Sequence, residues 1–393
     1  MIITYVEFDN IYSFKKSSLD LTFDRTLKDS SIEGEYIESR PNFKFKKVCI
    51  ISGANACGKT SFGRALCSVQ NFLQNKSLPD QLLKSIKNKE KYASFIIEFA
   101  TLHDLKLHRV YVSFNSKKLV SLTYVNTKIG TTASGFITRR KLLNIFDNKA
   151  APRMSKYLSF NTLKDKDLMV ITATHEFSKY DFMDSGWLYL VSENHFSSKP
   201  ISLTTPELMR SILKTFDPNI KDVTSITSSN NLDDKVQFDG YNIKFDNGDS
   251  VLVDKDGNTS NKKRLSRGTF EAISITELIA RVLNDTGENV YYLDEGMAHS
   301  HTEIEQSVLN LLIEKLSRYS QLFYTTHNYD ILDLNLPVHS FVFFKKDKYT
   351  SIILPEHSFK KNDRTLLNFV KNDVFNTLPD VDSIDGLLMD ALI

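Results

Sequence analysis

The octapeptide GANACGKT, Gly53 to Thr60, fits G-x-x-x-x-G-K-[ST]. Glycines at both ends let a loop wrap so that its N–H groups point inward at phosphate oxygens. Lys59 then reaches the β- and γ-phosphates, and the Thr60 hydroxyl coordinates Mg²⁺. A helix starting here adds its positive dipole end. The stretch VYYLDEG ends in Asp294 and Glu295. Asp294 is placed to hold Mg²⁺ directly or through water. Glu295 is placed to polarise a water in line with the γ-phosphate. In TTHN, His327 stands where it can contact that phosphate and the attacking water. RLSRGTFEAISI, Arg264 to Ile275, reads as a second anion-binding helix start, with Ser266 and the Gly268 amide as donors. One nucleotide does not need two such loops in one chain. Two copies arranged head to tail do, each closing the other's site.

These groups need strands and helices to carry them. CIIS before the loop reads as a buried strand, and Ser61 to about Asn75 as a helix with Phe62, Ala65, Leu66, Val69 and Leu73 on one stripe. NVYYLDEG and QLFYTTHN read as buried strands, with Thr302–Arg318 a helix between them and Phe270 to Leu283 an amphipathic helix before them. MIITYVEFDNIYSF, SSLDLTFD and SFIIEFATLHDLKLHRVYVSFN alternate as strands, and LKDSSIEGEYIESRPNFKFKK reads as a loop. From about Lys117 to Lys235 the pattern is poor, with helical pieces expected around Thr138–Phe146, Met154–Leu163 and Pro206–Thr215. KVQFDGYNIKFDNGDSVLVDKDGN predicts three short strands with turns at Asp239-Gly240, Asn247-Gly248 and Asp256-Gly257. SFVFFKKDKYTSIILP predicts a closing hairpin. The fold expected is α/β, with both ends of the chain forming one domain around an insertion.

Composition excludes several classes. A hydrophobic fraction of 41% and a charged fraction of 25% suit a soluble globular chain. Fifty basic against 48 acidic residues leave a formal net charge of +2, so no global charge advertises nucleic acid or an anionic membrane. No apolar run has the length of a membrane helix, and MIITYVEFDN is no secretory signal. Cys49, Cys57 and Cys67 have no metal spacing and suit a reducing cytoplasm. Cys57, beside Lys59 and a helix start, is either a low-pKa thiol that ATP shields from alkylation or a buried inert one. Basic clusters at Arg139–Lys141, Lys262–Arg264 and Lys345–Lys348 are solvated faces or DNA contacts.

Taken together, LSRGT, YYLDE and TTHN resemble the signature, Walker B and His-switch of ABC-type ATPases. The N-terminal NIYSF strand, the GANACGKT loop with Asn55 and the Ser-x-Gly-Thr form of the signature resemble the RecF/SMC-like branch. Within it the chain looks most like the ATPase of the OLD family and its standalone relatives, of the AriA and PtuA type, in bacterial anti-phage systems. The resemblance covers about residues 1–100 and 235–355. It implies an ATPase head without a long coiled coil and with a helical insertion. The divisions implied are 1–115 (strands and phosphate loop), 116–234 (helical lobe) and 235–355 (signature, Walker B, His-switch), and the remaining 356–393 read as an acidic tail for a partner or oligomer contact or as a solvated terminus. It implies nucleotide contacts from Gly53, Asn55, Gly58, Lys59, Thr60 and Ser61. Metal contacts come from Thr60 and Asp294, catalytic roles from Glu295 and His327, and signature contacts in trans from Ser266, Gly268 and Thr269. ATP and Mg²⁺ are the cofactors implied. The partners implied are a second copy of the chain and a separately encoded, nuclease-like effector, in the cytoplasm.

The chain departs from the family in four places. Arg267 stands where transporters usually have glycine. GMAHSH replaces the usual Ser-Ala-Leu-Asp after Glu295, which leaves His299 and His301 as dimer-facing residues or solvated ones. The glutamine loop has no clear position, since Gln70 lies on the first helix. Residues 356–393 are too few for a Toprim nuclease domain. Two other readings stand beside the first: a RecF-like repair ATPase that binds DNA itself, and a nucleotide-binding assembly scaffold with little turnover.

Overall fold

A computed structural model describes residues 1–24, 31–150, 177, 186–191, 194–197, 204–229, 236–254, 257–359 and 366–378. The helix expected at Met154–Leu163 lies outside them.

The N-terminal alternation becomes real strands. β1 (Ile2–Asp9) pairs antiparallel with β2 (Ser17–Asp20) on one side and with β6 (Ala93–Thr101) on the other. β7 (Lys106–Phe114) and β8 (Leu119–Lys128) complete a five-stranded sheet in the order β2-β1-β6-β7-β8. The polar stretch read as a loop contains a small hairpin, β3 (Tyr36–Ile37) and β4 (Arg40–Lys44). A short helix, α2 (Asp80–Lys84), was not expected.

The second sheet positions the site. β5 (Val48–Ser52), β14 (Val290–Asp294), β15 (Gln321–Thr326) and β16 (Phe341–Lys346) are members of a seven-stranded sheet. Its order is β10-β9-β14-β15-β5-β16-β17, where β9 is Trp187–Val191, β10 Asn194–Ser197 and β17 Thr350–Ile353. The strands from β9 to β16 run parallel, and β10 and β17 are antiparallel edges. Parallel strands covered on both faces are apolar throughout. β5, β9 and β14 are accordingly buried at every position.

Two layers of helix cover this sheet. α1 (Lys59–Asn75) lies on the face shared with the five-stranded sheet, in a core that includes Phe8, Phe14, Phe62, Phe72 and Phe344. At Gly63 the helix meets β14 so closely that a Cβ would stand 2.5 Å from the Tyr292 ring. On the other face, α5 (Arg267–Leu283) and α6 (Thr302–Lys315) pack through Ile275, Leu278, Ile279, Leu309 and Leu312. A three-stranded sheet of β11 (Ile220–Ser229), β12 (Val236–Phe245) and β13 (Ser250–Asp254) packs on α4 (Pro206–Phe216) and α5. α3 (Gly135–Ala150) covers the expected Thr138–Phe146 piece.

Several boundaries differ from expectation. The stretch 116–234 carries strands as well as helices in its described part. β8 belongs to the N-terminal sheet and β9 to the central one. The Asp239-Gly240 pair is not a turn: β12 runs through it, with a register shift against β11 there. Asn247-Gly248 joins two of the expected strands, β12 and β13, and Asp256 of the third pair lies outside the described residues. The tail read as a docking segment packs inward as far as described. α7 (Leu366–Lys371) buries Leu366 and Val370, and Phe375 stacks on Phe343 with ring centroids 4.7 Å apart. Residues 379–393 lie outside the described part. No helix among the described residues is long and apolar enough to cross a membrane.

Candidate active site

Register brings the chemistry to one level. Asp294 pairs with Thr325, and Thr326 pairs with Ser52 on the next strand. β14, β15 and β5 therefore end together at their C-terminal edge, where ligands sit in such sheets. From these three ends emerge Asp294–Glu295, His327 and the loop of Gly53–Thr60.

The loop is shaped by backbone that only glycine tolerates well. Gly53 has φ +152°, and a Cβ on it would lie 2.2 Å from the Phe344 carbonyl oxygen. α1 starts at Lys59 without any side-chain cap. Its first N–H groups are thus left for a ligand or water. Asn55 is at the exposed tip of the loop, and Ser61 is half-buried in the first turn of α1. Tyr292 on β14 donates to the Lys59 carbonyl at 2.8 Å, which ties the start of the helix to the strand bearing Asp294.

Lys59 is buried and its ammonium is fully engaged. Nζ donates to Gly53 O at 2.8 Å and lies 3.5 Å from Glu295 Oε1. The His327 ring is also against it, with Nδ1 at 3.2 Å. His327 Nε2 stands 2.6 Å from Glu295 Oε1, and Nδ1 stands 3.1 Å from Gly53 O. Glu295 adopts the left-handed region, φ +51°, which is uncommon for a residue with a Cβ. Its N–H holds that turn by donating to Thr325 Oγ1 at 3.0 Å.

The two carboxylates are tuned apart. Burial pushes the Asp294 carboxyl above its ordinary value, and hydrogen bonds from Thr60 and Thr325 only partly offset this. Burial also pushes Glu295 up, but the hydrogen bond and charge of His327, with Lys59, outweigh it and hold Glu295 below its ordinary value. Thr325 Oγ1 donates to Asp294 Oδ1 at 2.8 Å.

Asp294 and Thr60 set a carboxylate and a hydroxyl side by side. Both are hard oxygen donors. Among the described residues no group of three His, Cys, Asp or Glu is poised around a metal. A pair of protein oxygens fits an ion that takes its remaining ligands from phosphate and water, as Mg²⁺ does. Gln70 adds nothing to this pair. It is buried in the core, where its Oε1 accepts from the Tyr189 hydroxyl.

A cavity of about 920 Å³ joins this edge to the second loop, with Thr60, Asp294 and Glu295 on one side and Ser266, Arg267 and Glu271 on the other. Ser266 caps α5: its Oγ accepts from Thr269 N at 3.0 Å and shares a hydrogen bond with Thr269 Oγ1 at 2.7 Å. Ser266 and Arg267 are exposed, while Gly268 and Thr269 are buried. A Cβ on Gly268 would face the His299 carbonyl oxygen at 2.9 Å, so this glycine serves a close contact within the chain. His299 itself bonds Glu271 at 2.6 Å, and His301 is exposed ahead of α6.

The chain is similar in shape to SMC head domains. The SMC head bound to the C-terminal winged-helix domain of ScpA matches over 92% of this chain and 100% of its own, at 14% identity and a TM-score of 0.48. The SMC head domain from Thermotoga maritima matches over 90% of this chain and 99% of its own, at 10% identity and a TM-score of 0.38. No protein-family model and no curated protein matches the chain. At these values the likeness carries no functional weight, and the chemistry rests on the residues themselves.

Two expectations need correction. Cys57 is buried, and burial pushes its thiol up against the opposing pull of Lys59. The low-pKa reading of Cys57 therefore fails. Arg139 is not a free surface cation: it is half-buried and pairs with the buried Glu98 and with Asp20 at the rim, while Arg140 and Lys141 beside it are exposed. Sequence reasoning missed β9, whose unbroken apolar run WLYLV was the available signal. It also missed Tyr292 and Thr325, whose hydroxyls hold Lys59 and Asp294 in place.

Proposed function

We propose that the chain binds ATP with Mg²⁺ and hydrolyses it. The observation that carries this reading is the convergence of Lys59, Glu295 and His327 within hydrogen-bond reach at the end of three adjacent strands. The loop amides and Lys59 bind the phosphates. Thr60 and Asp294 hold Mg²⁺, which neutralises charge building on the phosphates. Glu295, kept ionised by His327 and Lys59, accepts the proton of the attacking water.

Gly53, Asn55, Gly58 and Ser61 complete the nucleotide contacts. In the same proposal two chains close head to tail, and the exposed Ser266 of one copy faces the phosphates of the other, with Gly268 and Thr269 buried behind it as the start of α5. The exposure of Ser266 and Arg267 on the rim opposite Thr60 supports this. The cycle of closing and opening controls a separately encoded, nuclease-like effector in bacterial anti-phage defence, within the cytoplasm. That last step rests on the resemblance of the motifs. In the basic cluster at Arg139–Lys141, Arg139 is engaged with Glu98 and Asp20, while Arg140 and Lys141 stay exposed, so the rival in which the chain binds DNA itself keeps that surface.

The test is nucleotide titration and turnover on the purified chain. Wild-type protein should bind ATP and release phosphate, and Lys59→Ala should lose tight binding. Unchanged affinity in Lys59→Ala would sink the phosphate-loop assignment.

A further inference from the structure

Glu305 lies in the first turn of α6 and is buried. Its Oε1 accepts from the Tyr324 hydroxyl and from Thr326 Oγ1, the latter at 3.0 Å. Its Oε2 accepts from Asn328 Nδ2 at 2.9 Å. Thr326 and Asn328 are the two residues that flank His327. Thr326 Oγ1 also accepts from the Asn328 N–H at 2.9 Å, which closes the turn on itself. A small cavity of about 180 Å³, lined by Glu295, His327 and Glu305 among others, lies between this carboxylate and the catalytic one.

A buried carboxylate costs free energy to desolvate, and an apolar side chain would cover β15 at less cost. The three donors compensate that cost, and two of them belong to the residues on either side of His327. We infer that Glu305 is a positioning residue that holds His327 against Glu295 by clamping Thr326 and Asn328. The inference rests on the ATPase reading for its catalytic meaning, though not for its geometry. Without the clamp the turn after β15 relaxes, and the ring leaves its 2.6 Å contact with Glu295. Misplacing a catalytic group by about 1 Å can cost on the order of 10² in rate.

Glu305→Gln tests this. Gln leaves one acceptor oxygen for two arms: with Oε1 kept on Tyr324 and Thr326, its N–H₂ faces the Asn328 N–H₂, donor against donor, and with the amide turned round its N–H₂ displaces the Tyr324 and Thr326 hydroxyl donors. In the double variant Glu305→Gln/Asn328→Asp the amide donates to the new carboxylate and the clamp is restored with reversed polarity. The single variant should lose roughly tenfold or more in kcat. Its KM for ATP should move by less than about threefold, since the phosphate contacts are untouched. The double variant should recover most of the loss. The titration of the His327 ring, followed by NMR in nucleotide-free protein and identified with His327→Gln, should shift in the single variant and return in the double.

Wild-type kcat and ring titration in Glu305→Gln would overturn the inference. So would a loss of activity with the ring titration unmoved, which marks a merely structural role. If Glu305→Gln does not fold, Asn328→Ala removes the outer arm, together with the Asn328 bonds to Thr302 Oγ1 and from the Asp330 N–H, and is read in the same way. A wild-type chain that neither binds nor hydrolyses ATP would end the ATPase reading, while the ring titration would still decide the role of Glu305.

Discussion

His327 Nε2 lies 2.6 Å from Glu295 Oε1, and the same ring presents Nδ1 to the Gly53 carbonyl at 3.1 Å. One imidazole therefore bridges the end of β14 to the start of the phosphate loop. Lys59 completes the group by approaching both Gly53 O and Glu295. A phosphate entering this site competes for the lysine with a carboxylate and a carbonyl. Binding and the release of Glu295 are thus coupled by geometry.

Glu295→Gln should leave ATP binding intact and slow hydrolysis by about 10² to 10⁴. The amide keeps a hydrogen bond to His327 but cannot take the proton of a water. Stalled hydrolysis should also hold ATP-bound dimers closed, which size exclusion with ATP and Mg²⁺ reads directly. A variant with normal turnover removes Glu295 from the mechanism.

Most of this group was legible because each part has a local cause. The glycine spacing of the loop, the buried strand before Asp294 and the one before His327 are all short-range patterns. What was not legible depends on partners far along the chain. WLYLV lies in a stretch with little pattern around it, and only pairing with Val290–Asp294 makes it a central strand. Within the cationic run at Arg139–Lys141, Arg140 and Lys141 are exposed as the pattern suggests, but Arg139 turns to Glu98 and Asp20, partners far along the chain. Cys57 next to Lys59 suggested a reactive thiol, but burial is the larger influence and has no local signature. The Asp239-Gly240 pair had turn chemistry, yet β12 continues through it.

Alkylation of Cys57 should accordingly be slow near neutral pH, since the thiolate is the nucleophile and burial disfavours it. Its rate should rise only on unfolding or at high pH. Mass spectrometry after limited iodoacetamide treatment reads this. Fast labelling in the native protein that ATP suppresses would restore the reactive-thiol reading.

Asp294 and Glu295 should separate on acidification. Asp294 is raised by burial and Glu295 is lowered by His327 and Lys59, so acid protonates Asp294 first. Mg²⁺-dependent ATP binding should weaken as pH falls while still above the ordinary Asp value of 3.8. The stability sign is opposite to that of a salt-bridged carboxylate. A raised folded value means the cost of ionised Asp294 is absent below 3.8 and grows as pH rises through the folded value. Asp294→Asn should therefore lose Mg²⁺-dependent binding and gain in Tm at neutral pH. A drop in Tm for this variant would contradict the burial argument.

The shared-site proposal is best tested by complementation in trans, and the structure decides which lesion to use. Gly268→Asp is a poor choice, because its side chain would strike the His299 carbonyl of its own chain. Arg267 is exposed at the first position of α5, where an acidic residue favours the helix dipole. Arg267→Glu should thus fold normally while placing a carboxylate where the other copy's phosphates would come. Lys59→Ala and Arg267→Glu should each be nearly inactive alone. Mixed dimers carry both lesions in one site and neither in the other. After equal mixing and exchange, half the dimers are mixed and each has one intact site, so about a quarter of parent activity should return. If the two sites fire only together, rescue is absent from turnover but visible as ATP-dependent crosslinking of mixed pairs. Arg267→Glu protein that closes with ATP and turns over at the parent rate would show that this face never meets a nucleotide, and the loop at Gly53–Thr60 would then work within a single chain.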